Sequence, residues 1–216
     1  MVRSNLKGRF IVFEGLDGCG KTTQAKMLSD FLSSQGVQYL HVREPGGTAV
    51  GNKLREILLN PETVLTRWGE VLLLAAARAQ LVQDVIRPAL ARGEIVVCDR
   101  YLFSSLAYQG YGLEQNVELV RQVNLEAVGG LMPDWTFLLD IEPEAGLSRQ
   151  ANRRGLDRIE QRKEGFFQRV VEGYQQLAKD YGLIRLDGTA SVQAIHRQVV
   201  TILGKKLILR EECGDE

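Results

Sequence analysis

Gly15-Leu-Asp-Gly-Cys-Gly-Lys-Thr22 is the stretch on which the fold turns. Its spacing is G-x-x-x-x-G-K-[ST]. The apolar run Phe10–Glu14 precedes it and a helical pattern over Lys21–Gln35 follows, with Ala25, Leu28, Phe31 and Leu32 on one face. Glycines there let backbone N–H groups turn inward around phosphate oxygens, and the helix N-terminus adds partial positive charge. The unit predicts a nucleoside triphosphate cradle formed by Gly15, Leu16, Asp17, Gly18, Cys19, Gly20, Lys21, Thr22 and Thr23. In such a cradle Lys21 reaches the β- and γ-phosphates, and the Thr22 hydroxyl ligates Mg²⁺. Cys19, beside Lys21 and the helix N-terminus, is expected to lean toward thiolate and to be shielded by ATP. The competing reading is a small residue chosen for fit.

Working outward, short apolar runs at Tyr39–Val42, Ile95–Cys98, Thr136–Leu139 and Leu183–Leu186 join Phe10–Glu14 as five strands. Helical patterns separate them: Thr48–Leu59, Arg67–Arg92 with a bend expected near Pro88, Glu114–Val128, a helix opened by Pro143, Glu164–Tyr181 and Val192–Leu203. Continuous apolar strands alternating with helices predict an α/β fold with a five-stranded parallel sheet and helices on both faces, a three-layer P-loop NTPase fold. Ligands then lie beyond the C-terminal strand ends, which directs attention to the loops after Glu14, Val42, Cys98 and Leu139.

Composition sets limits. The chain has 216 residues, 44% hydrophobic and 25% charged, which suits one globular domain over 1–216 and excludes a mainly disordered chain. Lys+Arg and Asp+Glu both number 27, so there is no basic excess for gripping nucleic acid, and none is expected as partner. Three widely spaced cysteines (Cys19, Cys98, Cys213) suggest reduced thiols, and two distant histidines (His41, His196) argue against a His-rich metal site. The four-residue run Phe10–Phe13 is too short for a leader, and Val71–Ala77 is too short to span a bilayer, so a soluble cytoplasmic protein without membrane contact is expected. Glu211–Glu216 holds four acids and reads as a frayed tail.

A triphosphate cradle does not name a reaction. A regulatory GTPase needs an N/T-K-x-D segment to read guanine, and the chain has none. A small-molecule kinase needs a second set of basic groups and a movable arginine arm. Candidates for the first are Arg43-Glu-Pro-Gly-Gly-Thr48, Asp99-Arg-Tyr101, Ser104-Ser-Leu-Ala-Tyr-Gln-Gly110 and Arg78, set in the apolar stretch Leu72-Leu-Leu-Ala-Ala-Ala-Arg78, where it needs an anionic or polar partner. For the second, Arg149–Lys163 carries six basic and two acidic residues, with a hinge-like Arg153-Arg-Gly155 followed by Leu156-Asp-Arg-Ile-Glu160. This predicts a basic lid over about 149–163 that supplies cations and excludes water.

This ordered set of motifs, over residues 8–203, resembles bacterial thymidylate kinase. The resemblance implies phosphorylation of dTMP to dTDP by ATP with Mg²⁺, in a homodimer. It implies that Arg55 and Arg100 grip the acceptor phosphate, that Arg78, Gln109 and Ser105 hold the thymine edge beside Ser104, and that Tyr108 packs by the sugar. Asp17 then faces the 3′-hydroxyl, Arg149 lies over adenine, and Asp99 stands near the metal. Arg153 and Arg158 lead the lid cations, with Arg154 behind them. Plainer readings stand beside these: a solvated Arg55 next to Glu56, Ser104 and Ser105 as caps, Tyr108 as core, Asp17 as a turn residue, Asp99 as an arginine partner. One position departs from the family: Leu74 stands where a phenylalanine commonly stacks on thymine, which leaves the breadth of acceptor choice open. The alternatives to a dTMP kinase are a kinase for another pyrimidine deoxynucleotide and a non-catalytic nucleotide-binding regulator.

Overall fold

The computed structural model describes residues 8–150, 157–162 and 164–208. Five strands, β1 (Arg9–Gly15), β2 (Tyr39–Arg43), β3 (Ile95–Asp99), β4 (Trp135–Asp140) and β5 (Ile184–Asp187), form one parallel sheet in the order β2-β3-β1-β4-β5. Buried residues run unbroken along the whole of β3 and from Phe10 to the end of β1, because both faces of the sheet centre are covered. The helices are α1 (Lys21–Ser34), α2 (Ala49–Leu59), α3 (Arg67–Leu81), α4 (Arg87–Ala91), α5 (Leu102–Ser105), α6 (Val117–Ala127), α7 (Pro143–Gln150), α8 (Glu164–Tyr181) and α9 (Val192–Ile208). The chain therefore has the expected five-stranded α/β fold, and all five strands fall within a residue or two of their expected places.

Helix ends follow local chemistry. Thr48 caps α2 by accepting from the Gly51 N–H at 2.9 Å, and Thr66 caps α3 by accepting from Gly69 at 3.0 Å. The stretch 67–92, where a bend is expected near Pro88, is interrupted just ahead of that proline. It widens into a π-helical segment over Val82–Ile86 and resumes as α4. Proline has no N–H for the carbonyl four residues back and its ring crowds that carbonyl, and a wide turn just ahead relieves both. A second π-helical segment, Leu106–Gly112, replaces the expected loop before α6, which begins at Val117 rather than Glu114. It packs on α8 and carries Tyr108 and Gln109 toward the sheet's C-terminal edge.

Candidate active site

β1 ends in the loop Leu16–Gly20, and α1 begins at Lys21. Gly15 has φ +138°, and a Cβ there would stand 2.5 Å from the Leu139 carbonyl oxygen on β4, so only glycine lets the chain leave the sheet at this point. Lys21 is buried, and its Nζ donates to the carbonyls of Gly15 (3.1 Å) and Leu16 (2.6 Å). The Thr22 hydroxyl donates to Asp99 Oδ2 at 2.5 Å, and no arginine among the described residues forms an ion pair with Asp99. Cys19 corrects its expectation. It is 1% exposed, and burial pushes its thiol up despite the opposing charge of Lys21. Its role is fit, with its sulfur seated under Gly15.

The end of β3 turns sharply. Arg100 adopts φ 71°, a left-handed conformation uncommon outside glycine, and its N–H donates to the Phe13 carbonyl at 3.0 Å. Beneath the turn lies Glu14, fully buried on β1. It accepts from the N–H groups of Tyr101 (2.9 Å) and Ser104 (3.1 Å) and from the hydroxyls of Ser104 (2.6 Å) and Tyr174 (2.9 Å). Burial raises its carboxyl while these donors oppose. The turn aims Arg100 at the phosphate loop, where it donates to Asp17 Oδ1, to the Gly15 carbonyl (3.1 Å) and to Ser104 Oγ (3.0 Å). Tyr108 donates its hydroxyl to the second Asp17 oxygen at 2.9 Å, and Arg100 lies 5.0 Å over its ring. Burial of Asp17 acts to raise its carboxyl, but Arg100 and then Lys21 outweigh it and hold it at about 2. Tyr108 is thus buried in the core and lines the same cavity as Asp17, which bonds both Arg100 and Tyr108.

At the far end of the same cavity stands Arg78 of α3, 2% exposed. Its expected partner is Glu44: Nε donates to Glu44 Oε2 at 2.7 Å and Nη2 lies 2.6 Å from it. The remaining donors go to Ser105 Oγ (3.0 Å), Asn124 Oδ1 and the Tyr101 carbonyl (3.1 Å). A ligand meeting Arg78 must therefore share a donor with Ser105 or Asn124. Burial pushes Glu44 up against the pull of Arg78. Leu74 lies one turn before Arg78 on the same face. Gln109 donates to Glu70 Oε1 at 2.8 Å. Arg55 is not paired with Glu56; it donates to the Pro45 carbonyl at 2.9 Å.

One cavity of about 640 Å³ joins these parts. It is lined by loop residues Asp17 to Thr23, by Arg55, Leu74, Arg78, Asp99 and Arg100, and by Ser104, Ser105, Tyr108, Gln109 and Arg149. Its other end is closed by Gly188, Ala190, Ser191 and Val192 after β5, a stretch without any motif that the sequence reading passed over. Arg149 donates to the Gly188 carbonyl at 3.1 and 3.2 Å. Within the expected lid, Arg153 and Arg154 lie outside the described residues. Arg158 is turned aside: its Nε donates to the Leu58 carbonyl (2.8 Å), and its Nη2 forms an ion pair with buried Glu70 at 2.7 Å.

The family model for thymidylate kinase matches residues 13–199. The chain belongs to the thymidylate kinase family. Among curated thymidylate kinases it is 46% identical to that of Exiguobacterium sp. (strain AT1b) over 198 residues, covering 90% of this chain and 93% of the relative. It is 44% identical to that of Trichodesmium erythraeum, covering 93% and 97%, and 48% identical to that of Pelotomaculum thermopropionicum, covering 90% and 92%. The phosphate loop after β1 and Asp99 and Arg100 after β3 both line the cavity. Among the described residues no helix is long and apolar enough to cross a membrane.

Proposed function

We propose that the chain transfers the γ-phosphoryl group of ATP to dTMP, giving ADP and dTDP for dTTP synthesis. The observation that carries this reading is the single cavity with the phosphate loop at one end, the Arg78–Gln109 pocket at the other, and the Arg100–Asp17 pair between them. An acceptor phosphate oxygen attacks the γ-phosphorus, the bond to the β,γ-bridging oxygen breaks, and that oxygen leaves on ADP. No side-chain nucleophile is required. Positioning and charge neutralisation suffice.

Residue roles follow from placement. Lys21 leaves the two loop carbonyls for the β- and γ-phosphate oxygens, where charge spreads as the bond breaks. Arg100, with Arg55, takes the acceptor phosphate, and planar guanidinium groups suit its oxygens. Asp17 faces the 3′-hydroxyl and keeps Arg100 aimed. Tyr108 covers the sugar, Leu74 the base face, and Arg78, Gln109 and Ser105 the base edge. Arg149 and the Gly188–Val192 stretch frame the adenine. Arg153 and Arg158 bring positive charge over the transferring group when the lid closes, for which Arg158 must exchange Glu70 for phosphate. Thr22 and Asp99 set a hydroxyl and a carboxylate beside the loop, a hard-oxygen pair that fits Mg²⁺. Bound with ATP, Mg²⁺ would supply charge neutralisation at the β- and γ-oxygens. We further propose a cytoplasmic homodimer: Val50 and Ile57 of α2, Leu72 of α3 and Leu119 of α6 leave apolar side chains exposed on three helices that pack together.

An acceptor panel tests the proposal. With Mg·ATP, ADP should form rapidly with dTMP and more slowly with dUMP, dCMP, UMP and dGMP. Equal, basal ADP formation with all five would refute it.

A further inference from the structure

Glu70 belongs to none of the motifs above, yet it is 1% exposed and fully engaged. It sits on α3 at i, with Leu74 at i+4 and Arg78 at i+8, so the three share the face that closes the base end of the cavity. Its Oε2 is held by two guanidinium groups, Arg158 at 2.7 Å and Arg162 at 2.5 Å, and Arg162 in turn lies 4.6 Å over the Phe166 ring. Its Oε1 faces Gln109, whose Nε2 donates to it at 2.8 Å.

That contact settles which way the Gln109 amide lies. An amide can present either its oxygen or its NH₂ to a ligand, and only its partners decide. A carboxylate oxygen accepts, so the NH₂ side must turn to Glu70. Gln109 Oε1 takes no hydrogen bond from any described residue, and the side chain lines the cavity beside Arg78. The pocket edge therefore offers an acceptor from Gln109 beside Arg78, whose N–H groups a ligand shares with Ser105 or Asn124. Thymine and uracil present O4 and N3–H, the complement of that order. Cytosine presents N4–H₂ and an N3 lone pair, which reverses it at both places. Arg78 has only donors and cannot adapt. Gln109 could adapt by flipping, and Glu70 blocks the flip.

We propose that Glu70 is a positioning residue for base choice: by fixing the Gln109 amide with its oxygen toward the ligand, it selects pyrimidines that carry N3–H and rejects cytosine. The inference rests on the dTMP reading given under Proposed function. Discrimination of this kind comes from groups left unpaired in the wrong complex.

The test compares kcat/KM for dTMP and dCMP in the natural chain and in Glu70→Gln. A carboxamide at position 70 can donate as well as accept, which frees Gln109 to turn. The dTMP-to-dCMP ratio should fall about tenfold or more, chiefly because dCMP improves. If Glu70 is only a structural strut, both substrates lose in parallel, the melting temperature drops and the ratio holds, which would overturn the inference. A natural chain that uses dTMP and dCMP equally would also overturn it. A natural chain inactive on dTMP removes the underlying reading instead, so the two failures are distinct. Should Glu70→Gln not fold, Glu70→Asp keeps the charge for the two arginines but draws it back by one methylene. It should lose part of the discrimination, and an unchanged ratio there counts equally against the proposal.

Discussion

Replacing Asp17 by asparagine removes the carboxylate through which the phosphate loop holds Arg100. In the folded chain that carboxyl sits at about 2 against an ordinary value of 3.8, because Arg100 and Lys21 outweigh the burial that acts to raise it. A depressed carboxyl stabilises the fold at pH values above its unfolded value and loses that contribution as pH falls through the folded one. The window is therefore about pH 4 down to 2. A gap of just under two pH units corresponds to about 2 kcal/mol. The Asp17 side chain keeps 30% of its exposure, so solvent screening makes this an upper figure. The difference in unfolding free energy between the natural chain and Asp17→Asn should be largest above pH 5 and shrink by about 1 kcal/mol at pH 3. Urea unfolding at pH 6 and pH 3, with matched m-values, measures it, and subtracting the variant cancels the titration of other carboxylates. Parallel losses in the two proteins would show that Asp17 is not held by Arg100 in the folded chain.

Four further substitutions bear on catalysis. Lys21→Ala should lower kcat by about a hundredfold or more with little change in melting temperature, since its charge acts on the migrating group; near-normal turnover would remove Lys21 from the mechanism. Arg153→Ala and Arg158→Ala should each lower kcat more than they raise KM for dTMP, as groups acting in the closed state do. Wild-type kcat in both would reduce the lid to surface. Leu74→Phe should raise kcat/KM for dTMP several-fold, because the side chain borders the cavity and stacking on the order of 1 kcal/mol is gained against the cost of a larger ring; lower kcat/KM at unchanged stability would mean a pocket shaped around leucine.

The phosphate loop, the five strands and the Asp99-Arg-Tyr101 turn were legible because each rests on adjacent residues with a fixed spacing. The carboxylates that organise the site were not. Glu14 holds residues 87 to 160 positions away, Glu44 reaches Arg78 across 34, and Glu70 reaches Gln109 across 39. A single acid in a strand, loop or helix carries no periodic signal, and only folding reveals its partner. Arg78 came nearest, since an arginine in an apolar helix face demands a partner that sequence alone cannot name. Cys19 misled for a related reason: proximity to Lys21 and a helix N-terminus argues for thiolate, but its burial, visible only in three dimensions, is the larger effect. The π-helical segments escaped because each is only 5 or 7 residues long, too short for a change of period to be read from the apolar pattern.

The central claim is tested most directly by following the phosphoryl group itself. Incubation with ATP labelled at the γ-phosphate, Mg²⁺ and dTMP should place the label in dTDP, one for each ADP formed, and omission of dTMP should leave it in ATP. Label released as inorganic phosphate at the same rate with and without dTMP, and none in dTDP, would contradict the account.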